Sequence, residues 1–299
     1  MSTLETKIKI ETVRITPAHA NLLQTLFAAS PAPVICDRSA GNMLMWESEL
    51  DTELVTVDGH AAVAEHCGKH LCFSPAAGAA DAVETVRALL AAYGTPLCLC
   101  PVGADEKPLL LAAFGDRIRF GANDGAADYI YDAADLRVFR GKKYHTQKNH
   151  VNAFLREHPD YRFEPLTAEN APALAAFFDA YTAADDDDSA SAKEEIAACR
   201  RILPLLGSLP LDTRLLTDGG RILGFTVMER IGDTLMIHIE KGLPAVRGVY
   251  PMLVMLEAGV YPDVRFVNRE EDDGNAGLRQ SKLSYHPVRL LQKYYAEIV

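Results

Sequence analysis

Twice in this chain an alternating, strand-like run leads straight into an apolar helical stretch, and that recurrence limits the fold more than any single motif. Residues 8–15 alternate and Pro17 opens a helix reaching 29; residues 161–166 alternate and Thr167 starts a helix over 171–181. Short strands, a helix and a further strand follow each time. In the first half these are strands at 43–47, 53–57 and 70–74, a helix at 78–93 and a strand at 96–100. In the second they are strands at 213–217, 222–230 and 234–240, a helix at 249–258 and a strand at 264–268. Asp218-Gly219-Gly220 and Ile231-Gly232-Asp233 are hairpin signals. The order is too irregular for a Rossmann sheet or a TIM barrel. It predicts a mixed, α+β-like α/β protein with largely antiparallel sheets. At 299 residues the chain suits two domains of roughly 150 each. The expected partition is 1–160 and 161–299, joined by a helix over 142–157.

Composition narrows the partners. Thirty basic against 41 acidic side chains leave a net charge of −11, which argues against non-specific binding to DNA or anionic membrane. No apolar run reaches the roughly 18–20 residues that span a bilayer, and the charged amino terminus is unlike a signal peptide. The expectation is a cytoplasmic protein without integral membrane association. Six cysteines make no disulfide framework, and Cys98 and Cys100 read as small hydrophobes on a strand. His66, Cys67, His70 and Cys72 cluster, but without a paired CxxC or HExxH spacing they read as a packed or surface segment, with no metal. The four-acid run at 185–188 lacks the interleaved ligands of a calcium loop and reads as a solvated loop.

Four segments can carry chemistry. The richest, 268–287, follows an apolar strand and holds Asn268, Arg269, Glu270, Arg279, Lys282 and Tyr285 where open α/β sheets place ligands. In the strand before it, period two puts His238 and Glu240 on one face and Ile237 and Ile239 on the other, an arrangement suited to general base work. Arg247, Gly248 and Tyr250 precede or open an apolar helix whose free N–H groups suit a phosphate or carboxylate. Last, 137–150 carries Arg137, Arg140, Lys142, Lys143 and Lys148 with no acid. There His145, Lys148 or Asn149, and Asn152 share a helix face, with Val151, Phe154 and Leu155 on another. The choice for this stretch lies between a solvated basic helix and a polyanion site.

Taken together, Tyr131-Asp132, Gly141-Lys-Lys-Tyr-His145, Lys148-Asn149, His238-Ile-Glu-Lys241, Asn268-Arg-Glu-Glu-Asp, Gly277-Leu-Arg279, Lys282-Leu-Ser-Tyr285 and Pro287 resemble a soluble bacterial family related to the carboxyl-terminal domain of phosphatidylglycerol lysyltransferase. The match runs in order over about 127–299. The resemblance implies two tandem GNAT-like acyltransferase domains, as in Fem-type aminoacyltransferases. It implies acyl or aminoacyl transfer from acyl-CoA or aminoacyl-tRNA, neither held as a tight cofactor, to a small-molecule or peptide amine or hydroxyl, with tRNA as a partner. In that scheme Glu240, His238 and Tyr285 are the catalytic candidates. Arg247, Gly248, Tyr250, Asn268, Arg269, Glu270, Arg279, Lys282, Lys143, His145, Lys148 and Asn149 bind donor or acceptor. The rival is a GNAT-like module that binds a small anion or RNA without catalysis; a metallohydrolase on the His66–Cys72 cluster stands well behind both.

The basic stretch is open to a direct check. If it contacts a polyanion, replacing Lys142, Lys143 and Lys148 by Gln flattens the salt dependence of RNA or coenzyme binding by roughly 0.7–0.9 log unit per lost phosphate contact. An unchanged slope returns the segment to a solvated helix face.

Overall fold

The computed structural model describes residues 8–46, 51–122, 124–184, 190–205, 207 and 209–299. The acidic run at 185–188 lies outside them. The chain divides into two compact units, residues 1–127 with 291–299, and residues 128–290.

In the first unit, seven strands lie in the order β1 (Ile10–Arg14), β2 (Glu53–Val57), β3 (His60–Cys67), β4 (His70–Pro75), β5 (Leu97–Gly103), β14 (Lys293–Ile298) and β6 (Ile118–Ala122). All neighbours are antiparallel except β4 and β5. Helices α1 (Ala20–Phe27), α2 (Ala40–Met45), α3 (Ala82–Tyr93) and α4 (Glu106–Phe114) complete it. Apolar side chains of α3 (Ala82, Val86, Leu89) pack on Ala62, Ala64, Phe73, Leu97 and Leu99 of the sheet. The strand expected at 43–47 is instead helical through Met45. Ser39 caps it, its hydroxyl accepting from the Asn42 N–H at 3.2 Å, and the apolar run Met43–Met45 is buried on the helix.

The second unit holds the sheet β13 (Arg289–Leu291), β7 (Asp128–Asp132), β12 (Phe266–Asn268), β11 (Thr234–Gly242), β10 (Arg221–Ile231), β9 (Asp212–Asp218) and β8 (Arg162–Pro165). Its helices are α5 (Ala133–Val138), α6 (His145–Glu157), α7 (Ala173–Ala184), α8 (Ala190–Ile202), α9 (Val249–Val260) and α10 (Ala276–Ser284). Both hairpin signals are realised: Gly219 and Gly220 take positive φ between β9 and β10, and Gly232 does so between β10 and β11. Helix α9 crosses from β11 to β12, which pair in parallel. Asp132 caps α5, accepting from the N–H groups of Ala134 and Asp135.

The boundary therefore falls well before residue 160. Strand β7 pairs antiparallel with β12, more than 130 residues later, so 128–160 belong with the second sheet. Strand β14 pairs with β5 and β6, which returns the last residues to the first. The expected joining helix, α6, is likewise part of the second unit; it buries Gln147, Val151, Ala153 and Phe154, while Leu155, placed on one face with Val151 and Phe154, is exposed. No helix among the described residues is long and apolar enough to cross a membrane.

In the first unit, Arg38 Nη2 meets Glu106 Oε1 at 2.6 Å with both side chains buried, and Glu106 Oε2 also accepts from the Gly103 N–H. Arg38→Met strands that carboxylate and is expected to cost about 3–5 kcal/mol in urea unfolding. Adding Glu106→Leu removes the stranded charge and restores a substantial part of the loss.

Candidate active site

Strand β11 carries one residue more than β10. Val227 pairs with Ile239 but Met228 with Ile237, which makes His238 the bulged residue. A bulge reverses the phase of the side chains beyond it. Glu240 lies opposite Thr226, on the side where Glu257 of α9 meets both. His238 instead reaches Glu229, three residues along β10 from Thr226 and hence on the opposite face. The strict alternation that placed His238 and Glu240 together fails for this reason.

On the His238 face, Nδ1 lies 2.9 Å from Glu270 Oε1 and Nε2 3.2 Å from Glu229 Oε2. The imidazole and Glu229 are almost wholly buried. Burial opposes the charge, but the bonds to Glu229 and Glu270 outweigh it and push the His238 pKa up to about 9. Both ring nitrogens then donate, so no lone pair is left to accept a substrate proton. Glu270 sits in left-handed backbone, φ 57°, its N–H bonded to Asn268 Oδ1 at 2.8 Å, while Asn268 Nδ2 donates to Asp128 at 2.8 Å.

On the α9 face, Arg269 Nη2 donates to Glu240 Oε1 at 2.9 Å, and its guanidinium carbon lies 4.8 Å from the Tyr285 ring centre and 5.8 Å from that of Tyr131. Burial opposes the arginine charge, yet Glu240 and the two tyrosines raise its pKa on balance. Burial also raises the Tyr131 and Tyr285 hydroxyls, keeping them protonated donors. Glu257 is pushed well above the carboxylate range, first by burial and then by Glu240. Five buried polar atoms here make no hydrogen bond of good geometry, Glu240 Oε2, both Glu257 oxygens, Arg269 Nη1 and Thr226 Oγ1, although Glu257 lies beside Thr226 and Glu240, and Arg269 beside Tyr131. Each such atom costs about 1–3 kcal/mol, and native interiors leave few.

The loop after β12 is tied from α10. Arg279 grips Asp272 through Nε (2.8 Å) and Nη2 (3.0 Å), and Tyr129 adds its hydroxyl at 2.6 Å. Those bonds, Arg279's foremost, hold the Asp272 pKa near 2 against burial. Lys282 Nζ donates to the carbonyls of Arg269 (2.6 Å) and Glu271. Arg279 and Lys282 are thus neighbours on a helix beginning after Asn275, as their spacing predicts, but both hold the loop. His238–Glu270 and Glu240–Arg269 thus form ion pairs on opposite faces of the sheet, while Arg279 pairs with Asp272 and Lys282 binds backbone carbonyls, so the candidate residues of 238–282 do not line one cavity.

At the start of α9, Gly248 takes φ 79° and Arg247 is exposed. The Val249 N–H donates to Val246 and Pro251 has none, so the helix start offers fewer anion donors than expected. Tyr250, in the first turn, is close enough to Glu240 and Lys241 for their charges to act on its hydroxyl. Of the basic stretch, Arg137 binds the carbonyls of Ala258, Tyr261 and Val264 at 2.8–3.0 Å and closes α9. Lys143 pairs with Asp135 at 2.8 Å, and His145 meets Asn149 at 3.1 Å; Lys142 and Lys148 are exposed. Sequence reasoning missed Glu257, Glu229 and Thr226, and took Tyr131 and Asp272 only as part of the family pattern without a role in the site. A signal existed for the first two, each a lone acid inside an otherwise apolar run.

The His238 geometry sets a pH dependence with a definite sign. Its folded pKa lies above the unfolded value near 6.5, so its contribution is complete below that pH and is lost as pH rises through about 9. Unfolding free energy is expected to fall by on the order of 3 kcal/mol across that window. His238→Gln should remove this slope, as read by denaturant titration at each pH.

A family profile described as "Phosphatidylglycerol lysyltransferase, C-terminal" matches residues 32–297. The crystal structure of a conserved protein of unknown function from Bacteroides thetaiotaomicron is 27% identical, superposes with a TM-score of 0.87, and is aligned over 97% of this chain and 100% of that one. L-PGS from Bacillus licheniformis (18% identical, TM-score 0.54, 81% of this chain and 82% of that one) and FemX (11%, 0.64, 97% of both) share the fold. An uncharacterised protein of Mycoplasmoides gallisepticum is 25% identical over 181 residues, 59% of this chain; the match spans 58% of that protein's length. The two seven-stranded mixed sheets match the tandem GNAT-like fold of FemX. This chain belongs to the family of phosphatidylglycerol lysyltransferase carboxyl-terminal domains.

Proposed function

We propose that the second unit transfers an aminoacyl group from aminoacyl-tRNA to an amine, with Glu240 as the base. The observation that carries this reading is the set of unpartnered buried atoms on the α9 face, Glu240 Oε2, the Glu257 carboxyl and Arg269 Nη1. They lie where β11 runs on to Gly242 while its pairing with β12 stops at Met236–Asn268, the strand parting that GNAT-like folds use to receive an acyl group. An amine entering there meets carboxyl oxygens that make no hydrogen bond of good geometry. Arg269 occupies Oε1 of Glu240, and Oε2 takes the proton as the amine nitrogen attacks the donor's ester carbonyl. The amide bond forms, the ester C–O bond breaks, and the departing tRNA ribose oxygen takes a proton from Tyr285, which burial keeps protonated. Membership of the lysyltransferase family and the L-PGS likeness favour an aminoacyl donor, as does the reduced set of N–H groups at the α9 start, which a coenzyme pyrophosphate would need.

A second reading has its own support. Two ion pairs, Glu240–Arg269 and His238–Glu270, link β11 to the loop after β12 beyond the point where the strands part, as expected of a binding module without turnover. One assay separates the two: transfer from labelled aminoacyl-tRNA, or from acyl-CoA, to a panel of amines. Glu240→Gln keeps the shape and removes the base, so turnover should drop by about 10²–10⁴ with donor affinity unchanged. Donor binding without transfer in the wild type would establish the module instead.

A further inference from the structure

The first unit carries a thiol cluster that plays no part in the transfer reaction. Side chains alternate along β3, β4 and β5, and the registers Glu65↔Cys72 and Cys72↔Cys98 bring equivalent positions side by side. Glu65, Cys67, Cys72, Cys98 and Cys100 therefore project from one face of the sheet. Ala62, Ala64, Phe73, Leu97 and Leu99 project from the other, against α3. His66 shares the face of Ala64 and is exposed. Of the grouping His66, Cys67, His70 and Cys72, His66 alone faces the other way; His70 pairs in register with Cys67, which also meets Cys100 from β5.

The Sγ atoms of Cys67 and Cys100 and a carboxylate oxygen of Glu65 all lie within 4.8 Å of one another. Cys67 Sγ is 3.6 Å from Glu65 Oε1 and also touches Cys72. Beside them is a cavity of about 30 Å³ bordered by Glu65, Cys100, Asp37 and Ser74. That volume admits one water or one ion. All of these cysteines are free. Zinc bound at 2.0–2.3 Å by sulfur and oxygen in a tetrahedron sets its ligand atoms roughly 3.5–3.8 Å apart, so small side-chain rotations suffice to close the site.

We infer that Cys67, Cys100 and Glu65 form a binding site for a thiophilic divalent cation of the zinc class. Thiolates select such ions over magnesium or calcium, and the carboxylate fits zinc better than copper(I). Binding replaces the thiol protons by metal–sulfur bonds and releases those protons to solvent, with no change in oxidation state.

The test uses the full chain, reduced and stripped with chelator, then titrated with Co²⁺ as the spectroscopic probe. The expected result is one cobalt per chain with thiolate-to-cobalt charge-transfer absorption, displaced by Zn²⁺. Cys67→Ser and Cys100→Ser should each weaken uptake by more than about 100-fold, while Cys199→Ser in the second unit leaves it unchanged. No charge-transfer band in the reduced wild type, or a band that survives both substitutions, overturns the site. So does a protein that forms a Cys67–Cys100 disulfide in air yet takes no cobalt when reduced. Should the serine variants fail to fold, alkylation of the wild type by iodoacetamide decides the matter: Zn²⁺ protection of Cys67 and Cys100 supports the site, and equal labelling with and without Zn²⁺ overturns it.

Discussion

The second unit turns on a buried cation held between two acids. Glu229 comes from β10, Glu270 from the loop after β12, and His238 from the extra residue of the strand between them. Two carboxylates that close repel unless a positive charge separates them, and a neutral imidazole does not supply one. Folding therefore favours the imidazolium, and the imidazolium in turn holds three segments together where β11 and β12 cease to pair. Replacing only one member would leave a buried charge uncompensated.

The bulge also decides what Glu240 can do. Because the phase changes at His238, Glu240 turns to α9 and meets Glu257 and Arg269. Two carboxyls and one guanidinium share this interior, and burial, then the Glu240 charge, pushes the Glu257 carboxyl well above the usual carboxylate range. The Arg269–Glu240 pair is then balanced, and Glu257 holds a proton it would release if a further cation arrived. In the proposed reaction the positive charge that develops on the attacking amine nitrogen is that cation: it compensates a second carboxyl until Glu240 Oε2 takes its proton. Substrate charge and site protonation are coupled by the same low-dielectric surroundings that make the empty arrangement costly.

Legibility in the sequence follows the range of the interaction that decides each feature. The hairpins at 218–220 and 231–233 were plain because glycine in left-handed backbone is a local requirement, and α9 was plain because Pro251 follows Gly248 into an apolar run. The 43–47 segment misled because Met-Leu-Met-Trp is apolar in either conformation, and only the Ser39 cap selects the helix. Strand β3 was missed because small residues, Ala61, Ala62 and Ala64, blur its alternation. The bulge was beyond reach, since it exists only in the pairing of β11 with β10. For the same reason the unit boundary could not be placed: it depends on β7 finding β12 and on β14 finding β5. Among the candidate residues, Arg269 pairs with Glu240 and His238 with Glu270, so the residue types at these positions were legible as charged partners. Their sidedness was not, because it is inherited from the bulge.

The start of α9 sets where a polyanionic donor would find its charge partners in the proposed reaction. In a helix start that cradles phosphate, several free N–H groups point at the anion and the helix dipole adds to them. Here the Val246 carbonyl takes one N–H and Pro251 removes another, so the backbone contribution is small. Within the basic stretch, Arg137 closes α9 and Lys143 holds Asp135, which leaves Lys142 and Lys148 exposed on or beside α6, with Arg247 exposed in the loop before α9. On a chain with a net charge of −11 these are local exceptions, and long-range attraction of a nucleic acid by the whole molecule would be unfavourable. A donor recruited by a few exposed side chains binds weakly at physiological salt, where charges farther apart than about 8 Å are screened from one another. Discrimination must then fall to the buried groups on the α9 face, where screening is slight and one unpartnered carboxyl separates an amine from a neutral competitor.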